Sequence, residues 1–255
     1  MPETFPPFSY QKLVLNDRTL AWRQDGKASA RANILFLSGF FSDMTGTKAS
    51  FLAQKCEEAG RQLTRFDYRG HGVSSGKFED YGIGEWLDDS LHILDQVTKG
   101  PQIVVGSSMG GWLMLLLALA RPERVAALVG IAPAPDFTED LIWKTLSPER
   151  QREMMEKGAV YETSEYQGNP VPYTRHLIEE GRKHLLLDKP IPITCPVRIL
   201  QGMKDEDVPP HHATRLAEQL RETDVHVTFI EDGDHRLSRP QDLDLLWQTV
   251  QSMKI

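Results

Sequence analysis

From Pro101 to Ala120 the chain carries no charged residue. A stretch like that admits two structures. It can cross a bilayer as one helix, which needs about 20 apolar residues, or it can be two buried elements joined by a tight turn. Gln102, Gly106, Ser107, Ser108, Gly110 and Gly111 interrupt it, and its fully apolar part is only Trp112–Ala120. The second structure is therefore expected. A strand covers Ile103–Val105, and a buried helix over Met109–Ala120 stops before Pro122. Such elements exist only inside a layered molecule, so the rest of the chain must cover a sheet on both faces.

The remaining pattern supplies that cover. Ile34–Leu37 and Val125–Ile131 are further continuous apolar runs, and Leu63–Tyr68, Val197–Leu200 and Val225–Ile230 also read as strands. Tyr10–Leu15 and Thr19–Arg23 read as an antiparallel hairpin turning at Asn16-Asp17. Helical spacing predicts helices over Thr47–Ala59, closed by Gly60, and over Ile83–Thr98, His211–Leu220 and Gln241–Met253. Short strands alternating with helices give an α/β fold, with a mostly parallel sheet and helices on both faces. Between Ala134 and Pro190 there is no strand signal, only helix-like pieces at Glu139–Leu146, Glu149–Lys157 and Thr174–Leu187. One domain over residues 1–255 with a helical insertion over 134–190 is expected. An excursion leaving the carboxyl edge of an open sheet is placed to be a lid, because ligands bind at that edge.

Composition narrows the function. Asp plus Glu is 36 against 29 Lys plus Arg, a net charge of −7 with no basic run. Counterion release needs clustered cations, so nucleic acid is not an expected partner. Cys56 and Cys195 have no metal or redox spacing and are expected as reduced, mostly buried thiols. Met1–Leu13 has neither an apolar core nor an Arg-rich pattern, so no targeting segment is read there and a cytoplasmic location is expected. Gly70-x-Gly72-x-x-x-Gly76-Lys77 fits no nucleotide-binding spacing, and no His pair has zinc-ligand spacing, so neither a cofactor nor a metal is expected.

Gly-x-Ser-x-Gly occurs twice, at Gly72–Gly76 and Gly106–Gly110. The first, around Ser74, lies in a polar loop that opens no apolar helix. The second puts Ser108 between a buried strand and a buried helix, where a nucleophile elbow forms and the helix N-terminus favours a developing anion. A serine hydroxyl needs a base oriented by an acid. His235 follows the strand Val225–Ile230, and the carboxylates Asp205, Glu206 and Asp207 follow the strand Val197–Leu200, all at the carboxyl edge of the sheet. His71 lies upstream in the loop of Ser74, His92, His211, His212 and His226 read as solvated positions, and His176 and His184 fall in the insertion. Two N–H donors are needed for the oxyanion, and the amides of Met109 and of Phe40, after Gly39, are the candidates.

These residues resemble the α/β-hydrolase superfamily over essentially the whole chain. Asp67-Tyr68-Arg69-Gly70-His71-Gly72-Val73-Ser74 looks like its structural loop D-x-R-G-x-G-x-S, which accounts for Ser74. Gly202-x-x-Asp205-x-x-Val208-Pro209 looks like its acid motif, and the resemblance selects Asp205 among the three carboxylates. Phe40–Ala49, Gly106–Leu115, Gly202–Asp205 and Asp234–Arg236 are similar to the mitochondrial palmitoyl-protein thioesterases of that superfamily, also described as acyl-glucuronide esterases. Ser38 stands where many members carry His. The resemblance implies a serine hydrolase of carboxylic esters or thioesters, with a small acyl ester or thioester or an acylated protein as substrate. It also implies the mitochondrial matrix as an alternative location. The competing readings are a peptidase or C–C bond hydrolase using the same residues, and a non-catalytic binding protein of the same fold. Leu141, Ile142, Trp143, Leu146, Met154 and Met155 of the insertion are expected to supply apolar surface toward the substrate.

Overall fold

The computed structural model describes residues 9–28, 31–162, 170–221, 223–253 and 255. Residues 1–8 of the segment read for targeting signals, and residues 163–169 of the insertion, lie outside them. The strands are β1 Gln11–Val14, β2 Thr19–Gly26, β3 Asn33–Leu37, β4 Gln62–Phe66, β5 Gln102–Ser107, β6 Val125–Ile131, β7 Ala159–Glu162, β8 Val171–Thr174, β9 Val197–Gly202 and β10 Val225–Ile230. The α-helices are α1 Thr47–Glu58, α2 Ile83–Gln96, α3 Met109–Ala120, α4 Pro148–Lys157, α5 Arg175–Gly181, α6 Pro210–Gln219 and α7 Pro240–Ser252.

An eight-stranded sheet runs β1-β2-β4-β3-β5-β6-β9-β10. The β1–β2 and β2–β4 pairs are antiparallel, and every pair from β4 to β10 is parallel. Side chains alternate across it, as a period of two requires. Leu35, Leu37, Val104, Leu128 and Ile199 point into one core with α2, α3 and α6. Ile34, Phe36, Ile103, Val105, Val129 and Leu200 point into the other with α1 and α7. The uncharged stretch is thus β5 and α3, buried except near its ends and at the half-buried Ser108 between them. No helix among the described residues is long and apolar enough to cross a membrane. From β3 the chain steps outward to β4, then returns to the opposite side of β3 as β5. The loops after β3 and β5 therefore meet at a switch point of the strand order, where a crevice opens at the carboxyl edge.

The insertion departs from its all-helical expectation. Strands β7 and β8 form a separate antiparallel ribbon, with Val160 opposite Tyr173 and Tyr161 opposite Pro172. The piece expected over Glu139–Leu146 is a π-helical turn, Thr138–Ile142, followed by a 3₁₀ turn, Trp143–Thr145. The helix expected over Thr174–Leu187 is only α5, capped by the Thr174 hydroxyl on the Leu177 amide, and a 3₁₀ turn, Arg182–His184. It stops because buried Asp136 takes the amides of Leu186 and Leu187 at 2.8 and 2.9 Å, in place of helical carbonyls. Cys56 is buried and Cys195 half-buried, both unpaired, and burial pushes their thiols up to about 12 and about 11.

Candidate active site

Ser108 occupies the turn between β5 and α3 at φ 52° and ψ −116°. A side-chain-bearing residue with positive φ is strained, and such strain persists only where the surroundings over-determine it. Here they do. The Ser108 amide donates to the Ile131 carbonyl at 2.9 Å, and its own carbonyl accepts from the amides of Gly111 and Ala134 at 2.8 and 3.1 Å. The flanking glycines are steric necessities. A Cβ on Gly106 would stand 2.2 Å from the Gly110 carbonyl oxygen, and one on Gly110 would stand 2.1 Å from that of Leu37.

Asp205 and His235 hang from β9 and β10 on loops that lie against each other. A Cβ on Gly202 would meet the Gly233 carbonyl oxygen at 2.4 Å, and the Lys204 amide donates to that same oxygen at 2.8 Å. The Asp205 side chain is fully buried and its oxygens are saturated. Oδ1 accepts from the amides of Val208 at 2.7 Å and Asp207 at 3.1 Å. Oδ2 accepts from Gln201 Nε2 and faces His235 Nδ1, each at 2.9 Å. His235 Nε2 lies 3.1 Å from Ser108 Oγ. With the proton on Nδ1, held by Asp205, the lone pair of Nε2 is left for the serine hydroxyl. The structure thus brings Ser108, His235 and Asp205 into one hydrogen-bonded chain. Neither Glu206 nor the carboxylate of Asp207 bonds His235 among the described residues. Asp205, Asp207 and His235 offer ligand atoms within 4.8 Å of one another, but a cation there would have to replace the proton between Asp205 and His235 Nδ1.

Ser74 has a different task. Its Oγ donates to the Asp67 carbonyl at 2.6 Å and accepts the Ala21 amide at 2.8 Å, which ties the loop to β2. Asp67 in turn accepts the amides of Met44 and Val73, and Arg69 grips Asp89 with Nε and Nη2. Of the oxyanion candidates, the Met109 amide opens α3 and the Phe40 amide follows Gly39. Neither has a hydrogen-bond partner among the described residues. Gly39 is less constrained than its role suggests, because a Cβ there would meet Ser108 Cβ at an ordinary 3.5 Å.

A cavity of about 500 Å³ contains Ser108 and His235. Its apolar wall is Phe40, Phe137, Leu141, Ile142, Val171 and Tyr173. Phe40 stands edge-on to Phe137 with ring centroids 5.5 Å apart and tilts against Tyr173 at 6.1 Å. Of the insertion residues expected to face it, Leu141 and Ile142 do. Trp143 instead lies beneath the Arg182 guanidinium at 4.8 Å, Met154 is fully buried in the core, and Met155 is exposed. Of the wall residues that sequence reasoning missed, Phe137 precedes the π-helical turn, and Val171 and Tyr173 sit on the unexpected ribbon.

The other histidines lie outside this chain of bonds. His212, expected to be solvated, is buried with Nε2 2.7 Å from the Pro135 carbonyl oxygen. His71 is 3% exposed, boxed by Tyr68, Phe78 and Trp86, and burial pushes its imidazole down to about 4. Because the folded value lies below the unfolded one near 6.5, the unfolded chain binds the proton better. Stability from this group is present above about pH 6.5 and is lost as pH falls toward 4, by roughly 3 kcal/mol in all. Urea denaturation at pH 7 and pH 4.5 should show a smaller loss in His71→Phe than in the unmodified protein. Equal losses would clear His71 of this role.

Residues 32–163 match the alpha/beta hydrolase fold family. The chain is 43% identical over 223 residues to the rat mitochondrial palmitoyl-protein thioesterase ABHD10, covering 86% of this chain and 74% of that one. It superposes on a crystal structure from Agrobacterium vitis S4 with a TM-score of 0.92 at 42% identity, over 97% of this chain and 99% of that one. Mouse alpha/beta hydrolase domain-containing protein 10 gives a TM-score of 0.88 at 40% identity, over 96% and 98%. Fold, strand order and sequence point the same way, and the chain belongs to the α/β-hydrolase family.

Proposed function

We propose that the protein is a serine hydrolase of carboxylic esters or thioesters that works through an acyl-enzyme. The observation that carries this reading is the hydrogen-bonded series from Ser108 Oγ through His235 to Asp205, at a strained elbow facing a cavity. Ser108 attacks the acyl carbonyl while His235 Nε2 takes its proton. Asp205 holds the imidazole in the required tautomer and stabilises the imidazolium that forms. The amides of Phe40 and Met109 receive the oxyanion, each such donor being worth about 10² to 10³ in rate. His235 then hands the proton to the leaving atom. Water, activated by the same imidazole, releases the acid. These steps use no cofactor and no metal.

Substrate class follows from the cavity wall. Phe137, Leu141, Ile142, Val171 and Tyr173 face the nucleophile, and all come from residues 134–190, which in this reading form the cap of a single hydrolase domain. An apolar wall suits a fatty acyl chain, as does the likeness to a palmitoyl-protein thioesterase. Each buried methylene contributes about 0.8 kcal/mol, or roughly fourfold in affinity. Initial rates on acetyl to decanoyl thioesters, with matched oxygen esters, should show kcat/KM rising at least tenfold from acetyl to medium chains. Hydrolysis with a flat or falling profile would assign the cavity to a small or polar acyl group. Absence of ester and thioester hydrolysis, with cleavage of peptides or of carbon–carbon bonds in β-diketones, would replace the reading.

A further inference from the structure

The cavity has a second, polar side. The first turn of α1 and the segment after His235 bring Thr47, Lys48, Arg236 and Ser238 to it. Lys48 is half-buried, and its ammonium donates at 2.5 Å to the main-chain carbonyl oxygen of Arg236, the residue next to His235. Among the described residues that neutral oxygen is the hydrogen-bond partner of Lys48, and no carboxylate lies at ion-pair distance from it. The acids around it are engaged elsewhere. Asp43 Oδ1 accepts the amide and hydroxyl of Thr45, Asp234 Oδ1 accepts the Leu237 amide, and Asp242 is held by Arg239. The first turn of α1 carries no acidic residue either. Burial, with Arg236 nearby, pushes Lys48 down to about 8 against the opposing pull of Asp234 and Asp242, neither of which reaches it at ion-pair distance. An ammonium in the cavity wall with no carboxylate at ion-pair distance among the described residues leaves its remaining donors open to an anion that enters the cavity.

Stereochemistry places that anion. The imidazole must deliver its proton to the leaving atom, so the leaving group lies on the His235 side of the carbonyl, and the acyl chain lies toward the apolar wall. Lys48 is tied to the peptide that follows His235. We propose that Lys48 forms a leaving-group subsite selecting alcohols or thiols that bear an anion, a carboxylate or a phosphate, a few bonds from the scissile ester. Glu206 and Asp207 line the same cavity on the β9 side and Asp43 lines it just before α1, so an anion is favoured only close to the Lys48 ammonium itself. The subsite rests on the hydrolase reading above.

The test uses octanoyl thioesters that differ only at the far end of the thiol. These are 3-mercaptopropionate, its neutral amide 3-mercaptopropanamide, and 2-mercaptoethyl phosphate, each rate divided by its hydroxide-catalysed rate. At pH 7 and low salt, kcat/KM for one or both anionic thioesters should exceed that of the amide by about tenfold or more, as a charge-assisted contact provides. Whichever anion is favoured identifies the carboxylate or the phosphate as the natural group. Lys48→Met should bring the ratio of anionic to neutral kcat/KM near one, and Lys48→Arg should keep most of it. Should Lys48→Met fail to fold, the unmodified protein still decides. Raising NaCl from 0.05 to 0.5 M should shrink the ratio, because screening acts on the charge alone. Equal rates on all three thioesters, or a preference unchanged in folded Lys48→Met, would overturn the subsite while leaving the hydrolase intact. Hydrolysis of none of them would overturn the hydrolase reading itself.

Discussion

Ser108→Ala is expected to abolish both ester hydrolysis and labelling by a fluorophosphonate probe, with kcat falling by about 10⁶, as when a triad serine is removed elsewhere. The folded state should be nearly unaffected. Alanine keeps the Cβ, and the main-chain bonds that hold φ at 52° involve the amide and carbonyl of residue 108 rather than its hydroxyl. Thermal denaturation within a few degrees of the unmodified protein would separate lost chemistry from lost structure. Ser74→Ala should do the reverse. Its hydroxyl bridges the Asp67 carbonyl and the Ala21 amide, and leaving those groups unpaired costs about 1–3 kcal/mol. Labelling and turnover per folded molecule should persist. Labelling that survives in Ser108→Ala would move the nucleophile to another residue.

The contrast between these serines shows what was legible in the sequence. Both sit in Gly-x-Ser-x-Gly, yet only Ser108 lies between two uncharged runs, and that local context was enough to predict the strand, the turn and the helix. The sheet was legible for the same reason, since Ile34–Leu37, Ile103–Val105 and Val125–Ile131 are apolar on both faces. Features that depend on distant partners were not. The helix expected over Thr174–Leu187 ends early because Asp136, fifty residues before Leu186, captures two of its amides. The β7–β8 ribbon is only four residues long on each side, and Pro172 argues against a strand. Its Val171 and Tyr173 were missed as cavity residues on that account. Met154 has the right composition for a substrate wall, but the register of α4 turns it into the core. Lys48 carried no sequence signal, because an unpaired lysine looks like any solvated one until its burial is known.

The choice of Asp205 as the proposed acid rested on resemblance alone, since Asp205, Glu206 and Asp207 are adjacent carboxylates past one strand end. Geometry now separates them, and the expected kinetics follow from it. In Asp205→Asn the amide oxygen should take the Oδ1 position, where the Asp207 and Val208 amides both donate. The NH₂ group then occupies the Oδ2 position and points its hydrogens at His235 Nδ1 and at Gln201 Nε2. Facing a donor, Nδ1 must accept, so the imidazole proton moves to Nε2 and no lone pair remains for Ser108. The loss should approach 10⁴ in kcat, about the effect of this tautomer error in a serine protease. KM should change little, because Asp205 does not line the cavity. The clash with the Gln201 amide should also lower stability by about 1–3 kcal/mol. Asp207→Asn keeps its main-chain amide on Asp205 Oδ1 and alters only an exposed carboxylate at the rim, so less than a tenfold change in kcat is expected. Nitrogen NMR of the imidazole should show the Nδ1-protonated form in the unmodified protein and the Nε2-protonated form in Asp205→Asn. If Asp207→Asn proves the more damaging and leaves His235 in the Nε2-protonated form, the acid is Asp207, and the bond seen from Asp205 to His235 is not the one that works during turnover.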